Sequence, residues 1–240
     1  MRDQILAKSE LHAQFQKLGI KPGDIVYIET AVSPFKLSPD AMINFIHSLK
    51  AYLKSEGTIV ANLNAPINYE AINTEMTAMN PSSLATFATN RIAAYLTTFK
   101  DHSVSASWDY PYVAIGKYAP VITNAQSADF PNGSHSPLAR LYELHAKVIL
   151  IDHEIKNLLI NEHVIERSPQ TILTLHSTLV DKEIQTVLNK ETTMDIFDIM
   201  FKEKKYKQLF QLAKYNELPI LSMQYRDYVD YCNQLFEREV

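Results

Sequence analysis

The chain has 240 residues, of which 46% are hydrophobic and 21% charged, as is usual for a globular protein. Its net charge of −4 argues against a nucleic-acid-binding surface, which is normally basic. No apolar run approaches the roughly 20 residues that cross a bilayer, and the N-terminus lacks the apolar core of a signal peptide. The lone cysteine, Cys232, excludes an internal disulfide. We therefore expect one cytoplasmic domain over residues 1–240 without nucleic-acid or membrane partners; a homodimer is left open.

Nucleotide-binding motifs are missing from the sequence. The chain has five glycines, and neither a Walker motif nor a G-x-G-x-x-G run occurs. A backbone that wraps a nucleotide phosphate needs such glycines, because only they allow its close approach. The sequence gives little support to ATP or a dinucleotide as ligand.

The first third of the chain alternates helical and extended patterns. The predicted elements are a helix over 3–18, a strand at 25–28, a helix opened by Ser38-Pro39, a strand at 58–63 and a long loop at 64–80. Such a strand–helix–strand unit is right-handed in nearly all proteins. Ligands of open α/β sheets bind at the carboxyl edge of the strands, where residues 29–32 follow the first strand.

A capped helix and a buried strand follow each other in residues 136–151. Ser136 is a good N-cap, and Pro137 stands at the first helical position, where its missing N–H costs nothing. The run at 147–151 is short, apolar and rich in β-branched residues, as buried strands are. We predict the α/β class, as a single domain with a central mixed sheet covered by helices. Its inner strands are 25–28, 59–63 and 148–151.

The remaining elements are predicted less regularly. We expect a helix from Pro81 to about Phe99, an extended segment over 103–115, and helices at 160–167, 194–201, 206–213 and 222–238. The pattern over 170–190 is ambiguous.

Six blocks of the sequence resemble the aminoglycoside 3-N-acetyltransferase family and occur in the family's order. The longest runs from Gly133 to Ile151 and reads G-x-x-S-P-L-x-R-L-Y-E-L-x-x-K-V-x-L-I. The other five lie at residues 18–26, 56–60, 80–82, 113–119 and 163–166. The resemblance implies the family's fold and the transfer of acetyl from acetyl-CoA, as co-substrate, to an amine of an aminoglycoside or related amino sugar. It also implies a place among antibiotic-resistance transferases.

The chain departs from the family at the places that serve the chemistry. The family's first strand ends in His-Ser-Ser-Leu near the CoA, and this chain has Glu29, Thr30 and Ala31 at the first three of those places. The resemblance makes these three, with Ser136, the candidate CoA-binding residues. Because Glu29 adds a negative charge and the turns are poor in glycine, we expect acetyl-CoA to bind weakly or not at all.

The catalytic base has two candidate positions by resemblance. The family carries its catalytic histidine in His-Pro-x-x-Ser, and counting back from Gly116 without a gap puts Ser107 at that histidine. If five extra residues are allowed, His102 becomes the base.

The pair His163 and Glu166 resembles the family's closing H-x-x-E. On a helix, residues three apart share a face, and a histidine beside a carboxylate suits a general base and its orienting partner. The alternative is that both are ordinary helix residues. Asp152 and Tyr110 are candidate substrate contacts, since an aromatic ring can stack on a sugar, although aromatic residues on extended segments are more often core residues.

The functional prediction is an acyl-CoA-dependent N-acyltransferase with a degenerate active site. The alternative is a catalytically inactive homologue that acts as a binding or scaffold protein. A metal-dependent hydrolase is a distant third, because the spacing of Asp152, His153, Glu154 and His163 fits no strong zinc pattern, and we predict no metal.

Overall fold

The computed structural model describes residues 5–30, 37–63, 90–124, 126–151, 158–168, 171–180, 183–192 and 196–238. The predicted loop at 64–80, Ala31 and Asp152 lie outside these ranges. In chain order the elements are α1 (Lys8–Lys17), β1 (Ile25–Thr30), α2 (Pro39–Leu53), β2 (Thr58–Asn62), α3 (Arg91–Leu96), β3 (His102–Val104), β4 (Tyr112–Gly116), α4 (Ala119–Thr123), α5 (Pro137–Glu143), β5 (Lys147–Ile151), α6 (Ile160–Arg167), β6 (Ile172–Val180), β7 (Glu183–Glu191), α7 (Ile196–Lys202), a 3-10 helix (Lys205–Leu209), β8 (Phe210–Tyr215), β9 (Leu218–Gln224) and α8 (Tyr225–Arg238).

A seven-stranded mixed sheet forms the centre of the molecule, in the order β3-β4-β2-β1-β5-β9-β8. β1 is parallel to both β2 and β5, and every other pairing in this sheet is antiparallel. β1 is buried along its whole length, as its unbroken apolar run predicts for a strand covered on both faces. The three predicted inner strands are all inner strands, so the predicted mixed α/β sheet is confirmed.

Two hydrophobic cores lie on the two faces of this sheet. One contains Leu11 and Phe15 of α1, Phe45 of α2 and Ile92 of α3. The other gathers side chains from the later helices, including Ile122, Leu138, Val164, Met200 and Phe236. The architecture is therefore three layers, with helices on both sides of the sheet. No helix in the described ranges is both long and apolar enough to span a membrane.

Three helices begin at the polar caps that the sequence supplies. The Ser38 hydroxyl accepts a hydrogen bond from the Ala41 amide at 3.3 Å, and the Ser136 hydroxyl accepts one from Ala139 at 3.1 Å. Proline at the first position of both helices leaves no N–H to satisfy. The Asn90 carboxamide caps α3 in the same way. These caps fix where α2, α3 and α5 begin beside the sheet.

The C-terminal third corrects two predictions. The helix predicted at 206–213 is a 3-10 turn followed by β8, and the first three residues of the helix predicted at 222–238 belong to β9. β9 pairs with both β5 and β8, and Asn216 turns the chain between β8 and β9 with φ of 52°. Short apolar runs fit either period, so the sheet partner decided between them.

The ambiguous stretch over 170–190 is a separate antiparallel hairpin of β6 and β7. On one of its faces, His176 pairs across the strands with buried Val187. The alternate positions Leu173 and Leu175 are exposed. The hairpin is fixed to the body at Leu188, whose amide donates to Asp129 and whose carbonyl accepts from Phe130.

Candidate functional site

The carboxyl ends of β1, β2 and β5 form one edge of the sheet. The loop between β3 and β4, residues 105–111, lies at the same edge because Tyr112 pairs with Asn62 at the end of β2. The Leu63 amide also donates to the Pro111 carbonyl at 2.8 Å. Open α/β sheets bind ligands at this edge, so the predicted site residues are expected to lie there.

Glu29, at the end of β1, points into the protein. Its carboxylate is buried and accepts a hydrogen bond from the Leu159 amide, just before α6. Burial raises the pKa of this carboxyl to about 8, while the amides of Leu159 and Ile160 act in the opposite direction. At pH 7 the group is therefore largely protonated. The negative charge that the sequence analysis set against a phosphate at this place is mostly neutralised.

Thr30 and Ser136 also use their hydroxyls inside the fold. Thr30 donates to the Asn90 carboxamide at 3.3 Å, and Asn90 in turn donates to the Asn62 carbonyl at 2.9 Å. Ser136 donates to the Gly133 carbonyl at 2.6 Å besides capping α5. Each of the three described CoA candidates is thus engaged in an internal hydrogen bond. Ala31 lies outside the described residues.

His163 is a core residue of α6. Its side chain is fully buried and lies between the rings of Tyr142 and Tyr225, with ring centroids 6.3 and 5.9 Å away. Nδ1 donates to the Asn132 carbonyl at 2.5 Å. Burial lowers the pKa of the imidazole to about 4, so the ring is neutral at pH 7. The structure places this histidine in packing, away from any open face of the described residues.

Glu166 lies one helical turn after His163, and both side chains are hydrogen-bonded to the backbone of Asn132. Its Oε1 accepts from the Asn132 amide at 3.2 Å, while Oε2 is buried with no hydrogen-bond partner among the described residues. Burial raises the pKa of this carboxyl to about 8. A Cβ built on Gly133 would lie 2.8 Å from Oε2, which explains why a glycine stands at this close approach.

The two candidates for the family's catalytic histidine lie far apart. Ser107 is in the 105–111 loop at the carboxyl edge, and its hydroxyl accepts from the Tyr110 amide at 3.1 Å. His102 begins β3 and pairs with Ile115, toward the end of the sheet where β2 begins. Even if five extra residues are allowed in the count back from Gly116, His102 therefore does not lie at the carboxyl edge, where Thr30 is.

Tyr110 lies among carboxyl groups. The pKa of its phenol is raised first by burial and then by the charges of Glu162, Asp109 and Glu166. The pKa of Glu162 is itself raised, by burial and by Glu191. An acidic group of this kind attracts a ligand that carries several positive charges. No set of three His, Cys, Asp or Glu side chains within the described ranges could hold a metal ion.

One polar pair was missed by the sequence analysis. His176 Nε2 lies 3.2 Å from Asp109 Oδ2, and the pair joins the hairpin to the 105–111 loop. The two residues are 67 positions apart, so no spacing rule finds them. Alternation along β6 is the one available signal, and it shows only which residues share a face with His176.

Known acetyltransferases share this three-layer fold. The sequence model described as aminoglycoside 3-N-acetyltransferase matches residues 30–237. The chain belongs to this family, and the resemblance drawn from the six blocks is confirmed. No curated protein sequence matches the chain.

Solved structures give the same fold at low identity. AAC-IIIb in binary complex with CoASH is 17% identical, with a TM-score of 0.81, and the match covers 98% of each chain. A variant of AAC(3)-IVa in complex with a gentamicin is 20% identical, with a TM-score of 0.77, covering 99% of this chain and 91% of that one. AAC-VIa bound to sisomicin is 16% identical, with a TM-score of 0.78, covering 98% and 99%.

Proposed function

We propose that the protein transfers the acetyl group of acetyl-CoA to an amine of an aminoglycoside or a related amino sugar. Family membership over residues 30–237 is the observation that carries this proposal. Relatives of the same fold bind CoASH, a gentamicin and sisomicin, which gives the substrate classes to test.

The acidic group around Tyr110 supports the amino-sugar half of the proposal. Aminoglycosides carry several ammonium groups, and a cation within about 4–6 Å of a carboxyl favours its ionised form. An ammonium beside Glu162 would therefore lower the raised pKa of that carboxyl and gain a charged partner. The Tyr110 ring offers an apolar surface to the sugar next to this carboxyl.

The acetyl-CoA half is supported by the neutral state of Glu29. The sequence predicts weak binding of acetyl-CoA partly because of the negative charge on Glu29, and a pKa of about 8 removes most of that charge at pH 7. At higher pH the charge returns, so acetyl-CoA binding should weaken between pH 7 and 9. The hydroxyls of Thr30 and Ser136 donate hydrogen bonds within the protein, so their role in this proposal is to hold the carboxyl edge of the sheet in shape.

Thiol release tests the proposal directly. Purified protein is mixed with acetyl-CoA and, in turn, gentamicin, apramycin and sisomicin, and the acetylated product is identified by mass spectrometry. In parallel, acetyl-CoA at 100 times its Kd should stabilise the native state by about 2.7 kcal/mol. Product formation with any of the three supports the proposal. A thermal shift without product from a broad amino-sugar panel contradicts it.

A non-catalytic binding protein is the second candidate, and one observation favours it. Ser107 stands at the family's catalytic histidine by direct count, and its hydroxyl accepts a hydrogen bond from a backbone amide. A protein of this kind would bind sisomicin or CoA with measurable heat and release no thiol. Calorimetry together with the thiol assay separates the two candidates.

A further inference from the structure

The pair formed by His176 and Asp109 is built like the base of an acyl-transfer enzyme. Asp109 Oδ2 lies 3.2 Å from His176 Nε2, which places a carboxylate against one nitrogen of the ring. A carboxylate in this position holds the imidazole in one tautomer and stabilises the imidazolium that forms when the ring takes a proton. The other nitrogen, Nδ1, is then the basic atom.

His176 Nδ1 is buried and has no hydrogen-bond partner among the described residues. A buried nitrogen without a partner costs free energy, so such an atom calls for an explanation, and a ligand group is one. The side chain as a whole keeps 29% of its surface exposed, and that of Asp109 keeps 15%. The pair therefore combines a fixed geometry with a partly exposed ring, which the fully buried His163 lacks, and a substrate amine reaches the covered Nδ1 by displacing the side chains over it.

The position of the pair agrees with the site. Asp109 lies two residues after Ser107, in the loop at the carboxyl edge, and next to Tyr110 with its carboxyl neighbours. Charged groups on the surrounding elements are Glu162 and Glu166 of α6, and Lys190 and Glu191 of β7. The loop position that holds a histidine in the family holds Ser107 here, and β6 brings a histidine to the same loop from another element.

We propose that His176 is the general base of this protein and that Asp109 is its positioning residue. This inference rests on the proposed acetyltransferase function. His176 Nδ1 takes a proton from the substrate ammonium, and the freed amine attacks the thioester carbonyl carbon. The C–N bond forms and the C–S bond breaks. The CoA thiolate leaves with the bonding pair and receives the proton from His176, which returns the ring to its neutral state. The attacking nitrogen loses its remaining extra proton to solvent. The products are the acetamide and CoASH.

The test compares His176→Gln with wild-type protein. The glutamine amide can still donate to Asp109 but cannot accept a proton. Loss of a general base lowers kcat by about 10²–10⁴-fold. The Kd of sisomicin, measured by calorimetry without acetyl-CoA, should change less than about threefold if His176 serves proton transfer rather than binding. His47→Gln is the matched control, because His47 is an exposed α2 residue that contacts Tyr95, and kcat should stay at the wild-type value.

Asp109→Asn separates a positioning role from a structural one. Removing the carboxylate takes away the group that orients the ring and stabilises the imidazolium, so kcat should fall at least about tenfold while the Kd of sisomicin changes less than about threefold. If His176→Gln keeps the wild-type kcat, the assignment of His176 as the base is wrong, while the proposed acetyltransferase function stands. If wild-type protein releases no thiol with any amino sugar, the base assignment and the proposed function both fail. If His176→Gln does not fold, an unchanged kcat in Asp109→Asn still overturns the proposal.

Discussion

The described residues include two histidine–carboxylate pairs that differ in what surrounds them. His163 and Glu166 are close in sequence, both buried, and each is hydrogen-bonded to the backbone of Asn132. His176 and Asp109 come from distant parts of the chain, bond directly to each other and remain partly exposed. Each ring has one buried nitrogen without a hydrogen-bond partner among the described residues, Nε2 in His163 and Nδ1 in His176. The first pair holds a loop against a helix inside the core, while the second joins the hairpin to the 105–111 loop where part of the ring is exposed.

Burial explains why the two pairs differ chemically. In the first pair the pKa of His163 falls to about 4 and that of Glu166 rises to about 8, so both groups are largely neutral at pH 7. Neutral groups minimise the cost of burial, which is the arrangement expected of a structural pair. A base that exchanges protons with substrate instead needs contact with the outside, and in this comparison His176 has it.

The largest expected effect comes from removing the buried ring. His163→Ala should lower the free energy of unfolding by about 3 kcal/mol, because a cavity forms between Tyr142 and Tyr225 and the Asn132 carbonyl loses its donor. Denaturation in urea measures the loss. The exposed His47→Ala should cost less than about 0.5 kcal/mol. An unchanged free energy of unfolding together with lost acetyl transfer would return the catalytic role to His163.

The second effect concerns the pH dependence of stability. The native pKa of Glu166 is raised, so the native state holds its proton after the unfolded carboxyl has ionised, and stability falls as pH rises from about 4.5 to about 8. Glu166→Gln removes this fall. The variant should match wild type at pH 5 and be more stable than wild type by a few kcal/mol at pH 9. Unfolding curves at both values measure this, with the fully exposed Glu217→Gln as control; a constant difference across pH would contradict a buried neutral carboxyl.

The fold was predictable where the sequence pattern has one interpretation. β1, β2 and β5 are uninterrupted apolar runs, and Ser136-Pro137 marks a helix start by a local rule, so all four were located correctly. β8 and the end of β9 were predicted as helix, because their apolar residues fit both periods. The pairing that decides for β9 is with β5, about 70 residues away in sequence, and β8 then pairs with β9. Local pattern fixes the centre of this sheet, and long-range pairing fixes its edge.

The candidate site was predictable only in part, for the same reason. The H-x-x-E spacing identified His163 and Glu166 as a pair on one helix face, but spacing carries no information about whether that face is covered. The family resemblance set Ser107 at the position of the family's catalytic histidine, and the structure puts Ser107 in the 105–111 loop at the carboxyl edge, a location that the count alone did not predict. Asp109 meets His176 only because the β6–β7 hairpin folds back on the 105–111 loop, which no local rule contains.

A third, smaller effect tests how closely the first pair is packed. Gly133→Ala would place its Cβ 2.8 Å from Glu166 Oε2 and 3.2 Å from the Phe130 carbonyl oxygen. Overpacking of this kind costs about 1–2 kcal/mol of stability. In a Glu166→Ala background the first of these contacts disappears, so the cost of Gly133→Ala should fall by at least half. A double-mutant cycle in urea measures the coupling between the two positions. Simple additivity of the two substitutions would show that Oε2 is not held against Gly133.

The smallest effect on stability comes from Lys190, which links the two pairs. Its ammonium donates to the Glu166 carbonyl at 3.0 Å and lies 5.8 Å from the centre of the Phe130 ring, so β7 is tied to α6 and to the loop that carries Asn132. Lys190→Met keeps much of the aliphatic chain and removes the charge, and should cost about 1 kcal/mol of stability.

The same substitution should have a larger effect on activity than on stability. His176 belongs to the same hairpin, and a displacement of about 1 Å at a catalytic group can reduce turnover about 100-fold. We therefore expect kcat of Lys190→Met to fall at least tenfold while its melting temperature stays within a few degrees of wild type. Lys214→Met, on the exposed side of β8, is the matched control and should leave both unchanged. If Lys190→Met turns over at the wild-type rate, the Lys190 contact does not set the position of His176, and the contacts of Leu188 with Asp129 and Phe130, together with Asp109, hold the ring without it.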